Sequence, residues 1–313
     1  MEAGTLDARA TPGARPLGVA RRRWGEEVIR ALLLLAAAIS VLTTILIVVA
    51  LLNESISFFK EVKLDFITDA EWSPLFSDPQ FGIRQLLVGT FMITGIAILV
   101  AIPIGLGSAV YLSEYATPRA RRLIKPVLEV LVGVPTIVFG FFALQFVTPT
   151  ILQDFLHLDV TIFNALAAGL VMGIMIVPTI ASISEDAMTA VPQGLREGAY
   201  GLGATQRQVA TRVVFPSAIS GVVACVVLGI SRGVGETMIV LIAAGLQPSS
   251  SLNPLTGHAT ITTFMGATAK GDNPVGTIGY ESIFACGLTL FVLTLAMNMV
   301  AIRFVRKYRQ VYE

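Results

Sequence analysis

Arg232 and Glu236 stand inside a long apolar stretch, in the run Gly229-Ile230-Ser231-Arg232-Gly233-Val234-Gly235-Glu236-Thr237-Met238. An arginine at the centre of a bilayer span costs about 2.5 to 3.5 kcal/mol on insertion scales, so it needs a partner or a wet cavity rather than lipid. Spacing of four puts the two side chains on one helix face, where they can pair, and Gly229, Gly233 and Gly235 permit close approach of another helix. Two readings stay open. The pair fixes packing, or Arg232 lines a path for an anion, its fork of donors suiting phosphate oxygens better than an ammonium would, with Glu236 holding it in place. A resting pair that opens when substrate arrives satisfies both.

A second group lies in a polar segment that follows an apolar one. After Val191-Pro192, the run from Gly194 to Gly203 contains Glu197, Gly198 and Ala199. It starts with a helix-initiating proline and reaches a glycine able to turn the chain. Ala204 to Val213 then predicts a second short helix, with Val209 and Val213 on one face, Arg207 and Arg212 exposed, and an end ahead of Pro216. Helix, glycine turn, helix is a surface built to touch something.

Other chemistry finds little support. His157 and His258 read as solvated loop histidines, with no carboxylate at ligand spacing, so no metal site is expected; Cys225 and Cys286 lie in apolar runs and read as small buried hydrophobes. No nucleophile and base converge in the apolar stretches. No G-x-x-x-x-G-K-[ST] phosphate loop is present, and the nearest lookalike, Gly266 to Gly271, lacks the glycine before the lysine. The chain is therefore expected to be no enzyme, to hold no cofactor and to draw its energy from another chain.

The elements that must carry these residues are membrane helices. The 313 residues are 54% hydrophobic and 14% charged, and the mean hydropathy is +0.77, too apolar for a water-soluble globule. A net charge of +1 speaks against a nucleic-acid binder. A hydrocarbon core needs roughly 20 apolar residues in helix, and six stretches qualify: 31–52, 86–112, 123–147, 163–183, 217–244 and 282–304. Arginines 9, 15, 21, 22, 23 and 30 precede the first; Arg119, Arg121, Arg122 and Lys125 follow the second; Arg196, Arg207 and Arg212 follow the fourth; and Arg303, Arg306, Lys307 and Arg309 close the chain. The opposite loops hold only Lys60, Lys63, Arg84 and Lys270. Positive loops stay on the cytoplasmic side, so six spans with both termini cytoplasmic are predicted. Residues 1–30 and 306–313 are then cytoplasmic tails and 53–85 an outer loop with a short interfacial helix. The segment 245–280 is an outer loop, either a docking surface or a flexible connector.

The residues also resemble a family. Glu197-Gly198-Ala199, three residues, Gly203, nine residues, then Val213-Val214-Phe215-Pro216 is similar to the E-A-A, three residues, G, nine residues, I-x-L-P loop of binding-protein-dependent ABC permeases, with Gly198, Val213 and Phe215 as small or apolar departures. Gly133-Val-Pro-Thr-Ile-Val-Phe-Gly140 looks like the G-x-P-S-x-V-x-G segment of phosphate permeases, and Arg232-Gly-Val-Gly-Glu236-Thr-Met238 is similar to the R-A-x-G-E-T-M run of PstC-type subunits; Tyr111-Leu-Ser-Glu-Tyr115 looks like the first helix of the permease core, and Ser184-Glu-Asp-Ala187 also fits. The likeness covers residues 86–305, the expected permease core. It implies an all-α type I ABC importer permease fold with six transmembrane helices. It also implies phosphate as substrate, a second permease of the PstA type, a cytoplasmic ATPase dimer of the PstB type and an extracytoplasmic binding protein of the PstS type. Glu197, Gly198, Ala199, Gly203 and Pro216 would form the ATPase-coupling loop and Arg232 and Glu236 the substrate path. A sulfate or molybdate permease, or the PstA-type partner, remains the alternative. A secondary transporter would show inverted repeats and more embedded acids.

Overall fold

The computed structural model describes residues 24–76, 78–271 and 274–308; the expectations for 1–23 and 309–313 fall outside them. The chain divides after Ala50 into two compact units. In the first, helix α1 begins at Trp24 with Glu26 and Glu27 in its opening turn, where acids suit the helix dipole. Its apolar side chains, among them Leu33, Leu34, Val41 and Leu46, are exposed, as a lipid-facing helix requires. The helix ends at Val62, so it passes both ends of the expected 31–52.

The second unit holds the rest. Helix α2 (Asp65–Thr68) follows a turn at Lys63. Helix α3 (Arg84–Val110) is extended by a π-helical turn, Tyr111–Tyr115. Helix α4 (Pro118–Val132) starts at an N-cap, Thr117, whose hydroxyl accepts from the Ala120 N–H. The break Gly133-Val134-Pro135 separates it from α5 (Thr136–Phe142), which continues as π-helix Ala143–Phe155. Helix α6 (Ala165–Thr189) is capped by Asn164, whose side chain accepts from Ala167 N at 2.7 Å. Then come α7 (Gln193–Gly201) and α8 (Gln206–Val209), the latter wound through a π-helical turn into α9 (Phe215–Ser217). Helices α10 (Ile219–Val234), α11 (Met238–Ala243), α12 (Ile261–Thr268) and α13 (Ile278–Tyr308) complete the chain.

Five helices among the described residues are long and apolar enough to cross a bilayer, and the pair Gln206–Ser217 and Ile219–Val234, bent by 71°, supplies a sixth if counted as one span. The architecture is the expected all-helical membrane fold, with two spans shifted. The stretch 123–147 is not one helix: its charged first half forms the separate amphipathic α4, none of whose residues is buried, and the span is Thr136–Phe155. The stretch 217–244 breaks at 235–237 because Gly235 and the side chain of Glu236 end one helix and start another. A hydropathy average runs across both breaks, since it registers apolarity and not backbone continuity.

Close helix packing sets the frame. A Cβ on Gly169 would lie 2.7 Å from the Ile96 side chain, and one on Gly173 would lie 2.8 Å from the Ala97 carbonyl oxygen, so α6 and α3 meet backbone to backbone. Around that seam Ile93, Met172, Met175, Ile176 and Ile180 form the buried core. A second cluster packs Phe58, Phe66, Trp72 and Phe81 against Phe264 of α12, with Trp72 and Phe264 edge to face at 4.9 Å. This cluster folds much of 53–85 down onto the helices. The segment 245–280 is likewise no bare connector: α12 starts with a Thr260–Thr263 capping box, and Ile261 and Phe264 are buried. His258, expected in solvent, is fully buried, with its ring nitrogens 3.1 Å from the Thr256 carbonyl and 2.8 Å from the Ser251 carbonyl. His157 is exposed.

Candidate functional site

Two places assemble the sequence-selected residues. The first is the α7 to α9 segment. Pro192 opens α7, and Gly203 closes it at φ +81°, a left-handed conformation that favours glycine. Thr205 then caps α8 in a reciprocal box with Gln208. Glu197 and Gly198 lie on the exposed side of α7, beside Leu195 and Tyr200, and Leu202 is 92% exposed. Ala199 turns inward onto a cluster that includes Val209 and Val214, both fully buried. Val213, expected with Val209 on the inner face, is half-buried, because the π-helical turn shifts the register and Val214 takes that place. The helix does not stop ahead of Pro216. The proline is accommodated near the start of α9, where its missing N–H costs little, and the bend falls at Ala218.

What fixes α7 to the bundle was not foreseen. Arg196, counted in the sequence only as one of the basic residues after the fourth apolar stretch, is 9% exposed. Its guanidinium donates to the Met188 carbonyl at 2.8 Å, to the Val191 carbonyl, and to Glu114 Oε1 at 3.0 Å. Gln206 Nε2 donates to the Glu114 carbonyl at 2.6 Å. Both sides of the glycine turn are thereby tied to the end of the first core span, and α7 also to the end of α6. Alongside, the fully buried Glu185 receives Arg121 and, at 2.8 Å, Lys125, which also reaches Asp186 at 2.9 Å. The Glu185 carboxylate, and after it that of Asp186, hold the Lys125 ammonium above its ordinary pKa.

The second place is the break between α10 and α11. Arg232 and Glu236 do not pair; among the described residues no ion pair joins them. Helical geometry ends at Val234, so a spacing of four no longer places them on one face. Arg232 is half-buried, with Nη1 3.4 Å from Thr179 Oγ1. The Glu236 carboxylate instead accepts from the backbone N–H groups of Met238 at 3.0 Å and Ile239 at 3.2 Å, capping α11. Its own carbonyl accepts from Thr262 Oγ1 at 2.7 Å. A broken helix at membrane depth leaves backbone groups that must be satisfied within the protein, and Glu236 and Thr262 do this. Gly140 lets α5 approach, with a Cβ there 3.1 Å from the Met238 carbonyl oxygen. Among the described residues no three His, Cys, Asp or Glu side chains are placed to hold a metal ion.

The described residues form a bundle of apolar helices long enough to span a membrane, with a helical hairpin held to its end. Residues 101–310 match the family described as "Binding-protein-dependent transport system inner membrane component", and the chain belongs to that family. It is a permease subunit of an ABC importer and a transport component rather than an enzyme. It is 34% identical to a Bacillus subtilis (strain 168) protein described as "Probable ABC transporter permease protein YqgH", over 79% of each chain. It is 31% identical to the phosphate transport system permease protein PstC of Haemophilus influenzae, over 84% of this chain and 87% of that one, and 30% identical to the PstC of Xylella fastidiosa (strain 9a5c), over 93% of each. Among solved structures, a bacterial alginate ABC transporter aligns with a TM-score of 0.59 at 17% identity, over 92% of this chain and all of that one. The MetNI methionine transporter in an inward-facing conformation aligns with a TM-score of 0.55 at 19% identity, over 73% and 95%. These two establish the fold.

Proposed function

We propose that the chain is the PstC-type permease of a phosphate importer, working beside a PstA-type permease, a dimer of PstB-type ATPases and a PstS-type extracytoplasmic binding protein. The observation that carries this is the α7 hairpin: a helix exposing Glu197, Gly198, Tyr200 and Leu202 while Arg196 roots it in the bundle. Such a part receives a push from outside and passes it inward. The lysines and arginines beside it support a cytoplasmic position for that face and for both termini. Glu197, Gly198, Ala199 and Gly203 then form the ATPase contact, and Pro216 lies beside the bend where the motion enters α10. No cofactor is needed in this chain. Arg232 faces the anion on its way through, and Glu236 shapes that passage by holding the α10 to α11 break, not by pairing with the arginine.

Phosphate as the anion is supported by the names of the PstC relatives and by the bidentate donor geometry of a half-buried guanidinium. The test is radiolabelled phosphate uptake by cells whose importer carries Arg232→Gln or Glu197→Lys, with sulfate and molybdate as competitors. Arg232→Gln is expected to abolish uptake, and Glu197→Lys to abolish it while subunit abundance stays unchanged. Unaltered uptake in the Glu197→Lys strain refutes the coupling role. Competition by sulfate or molybdate as strong as by phosphate itself refutes the phosphate assignment.

A further inference from the structure

Helix α4 faces the wrong way for a helix that only joins two spans. Its polar side turns inward, where Arg121 and Lys125 meet Glu185 and Asp186. Its apolar side turns out: Leu123, Val127 and Val130, one above another at helical spacing, are 71%, 54% and 70% exposed. Two residues separate the helix from the span that ends at Tyr115, and three from the one that begins at Thr136. Its depth is thereby fixed at the membrane boundary, where an exposed apolar face meets acyl chains and not water. Next to that face lies a groove of about 520 Å³ lined by Pro118, Arg121, Arg122, Lys125, Pro126 and Glu129.

The charges around the groove do not balance. Arg119, Arg121, Arg122 and Lys125 stand against Glu129, Glu185 and Asp186, which leaves one positive charge over. Arg119 and Arg122 are exposed and have no carboxylate partner among the described residues. We infer that α4 is a lipid-binding helix: the groove takes the phosphodiester of one anionic glycerophospholipid while Leu123, Val127 and Val130 rest on its acyl chains. A single negative headgroup neutralises the cluster, and the apolar face supplies the contact that a soluble phosphate ion lacks. The assignment to the cytoplasmic leaflet rests on the orientation proposed above. With Glu185 on α6 at the other side of the same basic side chains, the lipid holds the end of the helix that carries the coupling hairpin.

Native mass spectrometry of the full chain, titrated with phosphatidylglycerol or phosphatidylcholine, tests the headgroup. Retention of phosphatidylglycerol in preference to phosphatidylcholine is expected, weakened about fivefold for each arginine removed by Arg119→Gln and Arg122→Gln. Depth is tested separately with Val127→Cys carrying a fluorophore, the native Cys225 and Cys286 being buried and shielded from the label. Quenching in vesicles by lipids brominated near the headgroup is expected. Equal retention of the two lipids, competition by inorganic phosphate at lipid-equivalent concentration, or quenching at residue 127 by aqueous iodide alone overturns the proposal. So does a crosslink from residue 127 to another protein in the assembled importer. Leaflet is read with an impermeant maleimide on Glu129→Cys in intact cells: exclusion supports the inner leaflet. Labelling from outside overturns the orientation and the leaflet, while the lipid contact is judged by the other two measurements.

Discussion

Arg196 is a buried cation with every direction of its guanidinium used: two backbone carbonyls on one side and Glu114 on the other. Removing it strands Glu114, whose side chain is only 5% exposed, without its charge partner. Breaking such a pair from one side costs about 3 to 5 kcal/mol. Arg196→Gln is therefore expected to lower the midpoint of thermal unfolding in detergent and to open α7 to protease, while Arg196→Lys recovers part of the loss. Equal protease resistance in wild type and Arg196→Gln overturns this role. The pair was invisible in the sequence because its members are 82 residues apart and neither interrupts a hydrophobic pattern. Its two halves were in view separately, Glu114 within Tyr111-Leu-Ser-Glu-Tyr115 and Arg196 next to Glu197. Arg232 and Glu236 show the opposite failure. Their spacing suggested a contact, and the contact is absent because it presumed a continuous helix that Gly235 and a self-capping glutamate interrupt.

At the scale of elements, punctuation was legible where it is local. Pro192, Gly203 and Thr205 each act on the backbone within a few residues, so the α7 hairpin could be drawn from the sequence. Gly203 has no atom near a prospective Cβ, so its requirement is conformational alone. Gly203→Ala forces an alanine into the left-handed region at a cost of about 1 to 2 kcal/mol, and Gly203→Asn is expected to be milder; differential scanning calorimetry of the two ranks them. The α4 to α6 contact was less legible, since arginines 119, 121 and 122 and Lys125 look the same in a sequence whether they face water, lipid or carboxylates. Its pH response has a definite sign. Because Glu185 raises the folded-state pKa of Lys125, the stabilisation is complete below the ordinary value of 10.5 and is lost as pH rises through the raised one. Hydrogen exchange in α4 is thus expected to show no Lys125-dependent change from neutral pH to about 10, and a Lys125→Met variant to lose the alkaline transition.

On the proposed reading, the whole molecule is a passive frame with an input and an output. Its input, α7, is braced on α6 and on the end of α3; its output, the α10 to α11 break, is packed by glycines against α3, α5 and α6. The purified chain in vesicles, with a phosphate gradient imposed or absent, is expected to accumulate no phosphate uphill; concentrative uptake there defeats the proposed division of labour. The aromatic cap at the opposite end has a use that follows from its geometry. Of the two tryptophans in the chain, Trp72 has its indole ring buried among phenylalanines and edge-on to Phe264 of α12, with no acceptor for its N–H among the described residues. A Trp24→Phe variant would make that ring the sole tryptophan, selectively excited at the red edge where the six tyrosines do not absorb, dry and blue-shifted at rest. Any movement that lifts α12 from the cap would admit water and redden the emission, giving an optical record of gating without an added dye.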